Sequence, residues 1–267
     1  MIELARASVT ITGGATGIGL ALAREIGRLG ARLILFEPRE DVLQGAVAEL
    51  AGLGIDALGF TGDVTKPDEV EALAEFVWSR HGRADLLINN AGVGGPVKAV
   101  IKYDLAAARA VFEVNFWGVL HGTQAFGRRW LADGQPAAVY TAASENGLFT
   151  AIPFGGGPYV ASKHAVVGLM EMLRREAPEQ ITTGIIIPGW VATDMARNIG
   201  MDADAFAAII VPQIAAGAPW CVSHSHNMVR IEERQAEIAA AYAAHAPRRA
   251  GDDALDVQLF VERQAKR

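Results

Sequence analysis

A tyrosine and a lysine stand four residues apart in the segment Tyr159-Val160-Ala161-Ser162-Lys163, a spacing that puts both on one face of a helix. A free phenol titrates near ~10 and is a poor base at neutral pH, whereas a fixed ammonium beside it favours the phenolate and lowers that value. Each tenfold gain in acidity corresponds to about 1.4 kcal/mol, so a phenol made a hundred to a thousand times more acidic needs roughly 3 to 4 kcal/mol of added phenolate stabilisation. The amine of Lys163, helped by a cationic ring bound nearby, is expected to supply it, and the pair reads as a proton-transfer site. Near the N-terminus the run Thr12-Gly13-Gly14-Ala15-Thr16-Gly17-Ile18-Gly19 directly follows an apolar strand. A helix N-terminus exposes unpaired N–H groups and about half a positive charge, and glycines let a pyrophosphate reach them. Gly13, Gly17 and Gly19 stand at GxxxGxG spacing, which departs from the GxGxxG dinucleotide fingerprint and is a weak signal by itself.

The elements that must position these residues follow from the alternation of apolar runs with helix-period stretches as far as about residue 190. That alternation predicts an α/β, Rossmann-type doubly wound parallel sheet in a single domain. Strands are expected at 8–12, 32–36, 56–60, 86–89, 138–141 and 184–187, and helices at 19–29, 40–53, 67–81, 105–131 and 159–176. Thr65, Pro67, Asp68 and Glu69 make a good helix start. Residues 190–225 are expected to cover the substrate, with one helical stretch between Gly200 and Gly217 and a short run at 220–223. Residues 226–267 are expected to form a C-terminal helix from about Val229 and a charged tail, from Pro247, that packs late or frays.

At the end of the second strand, Glu37 can accept hydrogen bonds from an adenosine ribose and would repel a 2′-phosphate. This favours NAD and makes NADP less favoured, and Thr16, where an arginine or lysine would suit NADP, agrees. Arg39, two residues on, is the residue that could instead hold a 2′-phosphate.

Composition bounds the partners. The 267 residues are 51% hydrophobic and 20% charged with a net charge of -6, and no basic stripe offers a phosphate backbone a footing, so nucleic acid is not expected. No run of 18 apolar residues suggests a membrane span, and the single Cys221 suits a reducing, cytoplasmic compartment. His224 and His226 alternate on one face, but no third ligand stands at a sensible spacing, so no metal is expected.

Taken in order, TGGATGIG, Asp63-Val64, Asn89-Asn90-Ala91-Gly92, Asn115, Ser144, YVASK and Pro188-Gly189 make the chain resemble the short-chain dehydrogenase/reductase family over about residues 8–195. The resemblance implies that Gly13, Thr16, Gly17, Ile18 and Gly19 hold the pyrophosphate, that Asp63 and Val64 flank the adenine, and that Asn90 and Gly92 line the adenosine ribose side. It further implies that Lys163 and Tyr159 hold the nicotinamide ribose and that Pro188, Gly189, Val191 and Thr193 hold the nicotinamide end. Asn115 would sit in the long helix and keep a water in a relay to Lys163, Ser144 would hydrogen-bond the substrate oxygen, and Tyr159 would be the acid or base. Two departures qualify this. Ser144 and Tyr159 are two residues further apart than is common in the family, with Gly155-Gly156-Gly157-Pro158 between them, and no aspartate-glycine-glycine strand follows Pro219. The second departure points toward the branch resembling lignin-derived aryl-ether alcohol dehydrogenases.

The activity so implied is hydride transfer between a nicotinamide cofactor and an apolar or aromatic secondary alcohol or ketone. Phe149, Pro153, Phe154, Trp190, Met195 and Trp220 are candidate substrate-lining residues. An NADPH-dependent ketone reductase is the alternative of the same class, and a non-catalytic dinucleotide-binding sensor or scaffold the alternative of another class. The resemblance also implies a homodimer or homotetramer, with Leu120, Phe126 and Leu169 as candidate contact residues.

Overall fold

The computed structural model describes residues 1–265. Seven parallel strands form one sheet in the order β3-β2-β1-β4-β5-β6-β7: β1 (Ser8–Thr12), β2 (Arg32–Glu37), β3 (Ala57–Thr61), β4 (Leu86–Asn89), β5 (Ala137–Ala142), β6 (Ile181–Ile187) and β7 (Trp220–Val222). The central strands β1, β4 and β5 are buried along their whole length, and β2 beyond its first residue, because both faces are covered, so they read as continuous runs rather than alternations. On one face lie α1 (Gly17–Arg28), α2 (Glu40–Gly52) and α7 (Ala203–Ala215), where Leu22, Ile26, Leu43, Leu50, Phe206 and Ile210 pack on Ile11 and Leu33. On the other lie α3 (Pro67–His81), α5 (Gly118–Asp133) and α6 (Gly157–Glu176), which bury Leu73, Val77, Phe126, Trp130, Val166 and Met170 against Leu87 and Val139. The strand order reverses beside β1, between β1 and β4, and in such sheets the crevice outside the carboxyl ends at that reversal is where ligands bind.

The expected helix over 105–131 is not continuous. It is α4 (Leu105–Phe112), then one π-helical turn at Glu113–Trp117, then α5. Asp104 caps α4 by accepting from the Ala107 N–H at 2.9 Å. The π turn places Asn115 where its side chain makes three hydrogen bonds, described below, and single π turns of this kind are common at functional positions. Phe126, a candidate subunit contact by resemblance, is instead sealed in the core, edge-on to Trp78 and Trp130.

The chain divides into two compact units, Met1–Ser225 and a second that begins at His226. The second contains α8 (Asn227–His245) and, along the charged tail, a short 3-10 turn at Asp252–Ala254 followed by α9 (Val257–Ala265). Asp256 starts α9 by accepting from the Gln258 and Leu259 N–H groups at 2.8 and 3.2 Å, an acidic helix start that reads in sequence as mere charge. Residues 266–267 of the expected tail lie outside the described residues. Among the described residues no helix is long and apolar enough to cross a membrane.

Candidate active site

The turn between β1 and α1 is shaped for an anion. Gly13 and Gly17 take the left-handed backbone conformation, with φ of 59° and 51°, and a Cβ on Gly19 would lie 2.1 Å from the Gly13 carbonyl oxygen. No acidic residue occupies the first turn of α1, and Thr16 at its cap makes no side-chain hydrogen bond to it. The N–H groups there are left to a ligand, and the residues present fit a pyrophosphate.

The loop after β4 is fastened to this turn. Asn90 donates from its side chain to the carbonyls of Thr12 and Gly13 at 3.1 and 3.0 Å, while the Thr12 hydroxyl accepts from the backbone N–H groups of Asn90 and Ala91 at 3.0 and 3.1 Å. Asn90 thus braces the turn through its side-chain amide. Gly92 stands beside Asn115 and Lys163: a Cβ there would lie 3.4 Å from Asn115 Oδ1 and 3.5 Å from Lys163 Nζ. Glu37 ends β2 with its carboxylate buried, and Arg39 Nε donates to Glu37 Oε1 at 2.5 Å. The arginine that the sequence offers to a 2′-phosphate is therefore engaged by the acid that would repel one. Asp63 accepts from the Thr65 N–H at 2.9 Å, and Val64 packs under Gly118 of α5.

Beyond β6, Pro188 accepts from the Glu145 N–H at 2.8 Å, and the ring of His224 packs over Gly189. The following segment folds back on itself: Val191 pairs with Met201, Ala192 N–H donates to Met201 O and Met201 N–H to Trp190 O, both at 2.8 Å. This closed base carries Thr193 against Gly17, where a Cβ would lie 3.0 Å from the threonine methyl.

Tyr159 and Lys163 share a face of α6, as the four-residue spacing requires. Lys163 is buried; its ammonium lies 5.8 Å from the centre of the Tyr159 ring and donates to the Ala142 carbonyl at 2.8 Å. Ser144, two residues beyond β5, lies beside the phenol, where its hydroxyl favours the phenolate. Its Oγ also accepts from the Asn146 backbone N–H at 3.1 Å. The three groups converge despite the two extra residues between Ser144 and Tyr159.

The electrostatics differ from the expectation of an acidified phenol. Burial pushes the Tyr159 phenol above its usual value, the nearby Ser144 hydroxyl pulls it back, and the negative charge of Glu145 pushes it further up. Burial also lowers the Lys163 amine to about 8. The physical reason is that the pocket removes water from both groups at once, which disfavours both charged forms. Lowering the phenol therefore requires an additional positive charge in the crevice.

The same desolvation makes stability depend on pH. An unfolded lysine titrates near 10.5 and the folded one at about 8, so between those values the unfolded chain holds the extra proton and Lys163 makes stability rise with pH, by at most about 3 kcal/mol. Cys221, its thiol pushed up to about 12 by burial, acts in the opposite sense above pH 9.0. The difference between the native protein and Lys163→Met in urea unfolding isolates the effect of the lysine: it is expected to move in favour of the native protein as pH rises from about 8 toward 10.

Asn115 uses both amide protons, donating to the Val93 carbonyl and to Ser162 Oγ at 3.0 Å each, and its Oδ1 accepts from the Val93 N–H at 2.8 Å. Ser162 in turn donates to the Tyr159 carbonyl at 2.8 Å. Asn115 ties the loop after β4 to the helix that carries Tyr159 and Lys163, and a water relay through it has only the second lone pair of Oδ1 to use.

The expected substrate-lining residues separate. Phe149 is buried, Pro153, Phe154, Trp190 and Met195 are exposed, and Trp220, half-buried, packs against the core on the α5–α6 side of the sheet. Sequence reasoning missed the organising role of Asn146, whose side-chain carbonyl accepts from the Ala151 and Ile152 N–H groups at 3.1 and 3.3 Å and so shapes the loop ahead of Tyr159. Its burial beside Ser144 had no signal in the sequence.

A family model described as short chain dehydrogenase matches residues 7–204. A 1-deoxy-11-beta-hydroxypentalenate dehydrogenase of Streptomyces avermitilis is 35% identical over 200 residues, 74% of this chain and 73% of that protein. The crystal structure of a short chain dehydrogenase/reductase from Burkholderia phymatum in complex with NAD superposes with a TM-score of 0.85 at 27% identity, covering 90% of this chain and 97% of that one. LigD in its apo form, from Sphingobium sp. strain SYK-6, gives 0.81 at 28% identity over 89% of this chain and 98% of that one.

Proposed function

The chain belongs to the short-chain dehydrogenase family, an oxidoreductase family that binds nicotinamide cofactors, and on that premise we propose that it is an NAD-dependent dehydrogenase of apolar secondary alcohols, working reversibly on the matching ketones. The observation that carries this reading is the convergence of Ser144, Tyr159 and Lys163 beside Gly92, at the catalytic end of a crevice whose other end is the Gly13–Gly19 turn.

Gly13, Gly17 and the first turn of α1 would hold the pyrophosphate, Glu37 the adenosine ribose, and Lys163 the nicotinamide ribose, with Pro188, Gly189 and Thr193 at the nicotinamide end. When bound, the nicotinamide supplies the hydride acceptor and, in its oxidised form, the positive charge that the buried phenol lacks. In oxidation the Tyr159 phenolate takes the proton of the substrate hydroxyl. Ser144 holds the substrate oxygen by a hydrogen bond and steadies it as alkoxide character develops. Lys163, anchored by the Ala142 carbonyl, keeps an ammonium beside the phenolate and opposes its reprotonation. In reduction Tyr159 returns the proton.

The preference for NAD rests on Glu37, buried and holding Arg39 by an ion pair. Glu37→Ser removes the acid and frees the arginine. It is expected to weaken NAD and strengthen NADP so that their affinity ratio shifts by at least tenfold, about 1.4 kcal/mol; fluorescence titration with both cofactors measures it, and an unchanged ratio sinks the assignment. The activity itself is tested by following the reduced-nicotinamide absorbance band with a panel of alkyl and aryl secondary alcohols. Tight cofactor binding with no signal for any alcohol or ketone would favour the sensor reading instead. Pairing of subunits is supported by the apolar groove between α5 and α6, flanked by Leu131 and Leu173; Leu131→Asp is the variant whose mass in solution tests it.

A further inference from the structure

Resting on the dinucleotide site of the dehydrogenase reading above, we infer that His121 of α5 is a positioning residue for the base of the cofactor: it holds the peptide of Val64 so that the turn after β3 takes a 6-amino purine and rejects a 6-oxo one.

The turn is joined to the adenosine end of the crevice through Glu37, whose backbone carbonyl accepts from the Gly62 N–H at 3.1 Å. A base carried by a ribose at the Glu37 carboxylate therefore meets residues 63 and 64 next. The neighbouring N–H groups are all spent within the chain: Asp63 donates to the Glu69 carboxylate of α3 at 2.7 Å, Thr65 to Asp63 Oδ1 at 2.9 Å, and Lys66 to the Asp63 carbonyl at 3.0 Å. The Val64 N–H has no acceptor among the described residues, and Asp63 Oδ2 has no donor there. One free donor beside one free acceptor complements the edge of adenine, where N1 accepts and the 6-amino group donates. Hypoxanthine inverts both, since its N1 carries a hydrogen and its 6-oxygen accepts.

The bonds among residues 63, 65 and 66 give the turn its shape but not its place in the protein. Its place is set from α5. His121 Nδ1 lies 2.9 Å from the Val64 carbonyl oxygen, and because a carbonyl only accepts, Nδ1 is the nitrogen that carries the hydrogen. Three residues earlier, Gly118 admits the Val64 side chain: a Cβ there would lie 2.8 Å from Val64 Cγ2. Positions 118 and 121 share a face of the helix, so α5 grips Val64 by its side chain and by its carbonyl at once. Each peptide beside Val64 is planar and turns as a unit. The first is held at the Asp63 carbonyl by Lys66, and the second at the Val64 carbonyl by His121. Without the imidazole the second peptide keeps only its local bond to Asp63, and the Val64 N–H gains latitude. A donor with latitude still reaches N1 of adenine but also yields to the N1–H of hypoxanthine. Loosening therefore costs discrimination more than affinity, whereas a histidine that merely packed α5 on the turn would affect both bases alike.

The test is calorimetric titration of NAD and of its hypoxanthine analogue, which needs no turnover. The native protein is expected to favour the adenine form by about tenfold or more. His121→Leu, near the imidazole in size but without the donor, is expected to cut that preference at least about fivefold, and His121→Asn, whose amide nitrogen falls where Nδ1 stands, to restore it to within about twofold. His121→Phe is expected to show the same loss and serves should the leucine variant fail to fold. Equal weakening of both dinucleotides, an unchanged preference, no rescue by asparagine, or no preference in the native protein would overturn the inference. Alcohol oxidation alongside an unchanged preference sinks the inference alone. The expected loss and rescue in a protein that never reduces NAD keeps the inference and sinks the dehydrogenase reading.

Discussion

Tyr159→Phe is expected to bind the cofactor nearly as the native protein does and to lose turnover by about two to four orders of magnitude. The substitution removes one oxygen from a ring whose position is set by α6 and by Lys163, 5.8 Å from its centre, so packing changes little. What disappears is the only group in the Ser144–Tyr159–Lys163 set suited to take a proton: Ser144 is a far weaker acid, and Lys163 donates to the Ala142 carbonyl. General acid–base work of this kind is worth about 10² to 10⁴ in rate. Cofactor affinity by titration and kcat by absorbance give the two readouts, and near-native kcat in this variant would overturn the role given to the phenol.

The second large effect is expected at the glycine turn. A methyl group on Gly19 would sit 2.1 Å from the Gly13 carbonyl oxygen and 2.6 Å from the Asn90 side-chain nitrogen. Neither obstacle can swing aside: one is backbone, and the other is held by bonds to Thr12 and Gly13. The turn must open, at a cost of about 1 to 3 kcal/mol for overpacking of this kind. Because the same turn is the proposed pyrophosphate site, Gly19→Ala is expected to lose at least about a hundredfold in cofactor affinity, roughly 2.7 kcal/mol. Gly45→Ala is the control, since a Cβ there meets nothing within 4 Å and lies in a helix; it is expected to be neutral or stabilising by up to about 1 kcal/mol. Equal losses in the two variants would contradict this role of the turn.

The sheet and its helices were legible because burial on both faces leaves a signal in one dimension: runs such as Ser8–Thr12 and Leu86–Asn89 are largely apolar or small, and glycine or asparagine follows. The shared face of Tyr159 and Lys163 was legible for a similar reason, since a four-residue spacing on a helix fixes it whatever surrounds it. The break of the long helix at Asn115 was not, because it depends on hydrogen bonds to Val93 and Ser162, partners 22 and 47 residues away. Phe126 illustrates the same limit. Its apolar character suits a subunit contact and a core equally, and only the placement of Trp78 and Trp130 decides between them. The direction in which the Tyr159 phenol moves also needed three dimensions: the charge of Lys163 is visible in sequence, whereas the desolvation of both groups and the approach of Glu145 are not.

The central claim is that hydride passes directly between a carbinol carbon and the cofactor in this crevice. A single-turnover reaction with NAD and a secondary alcohol deuterated at that carbon tests it most directly. Direct transfer predicts growth of the reduced-nicotinamide band, a slower rate than with the undeuterated alcohol, and the deuterium recovered in the reduced cofactor. A band that grows with no deuterium in the cofactor, or no band with any secondary alcohol although NAD is bound, would contradict it.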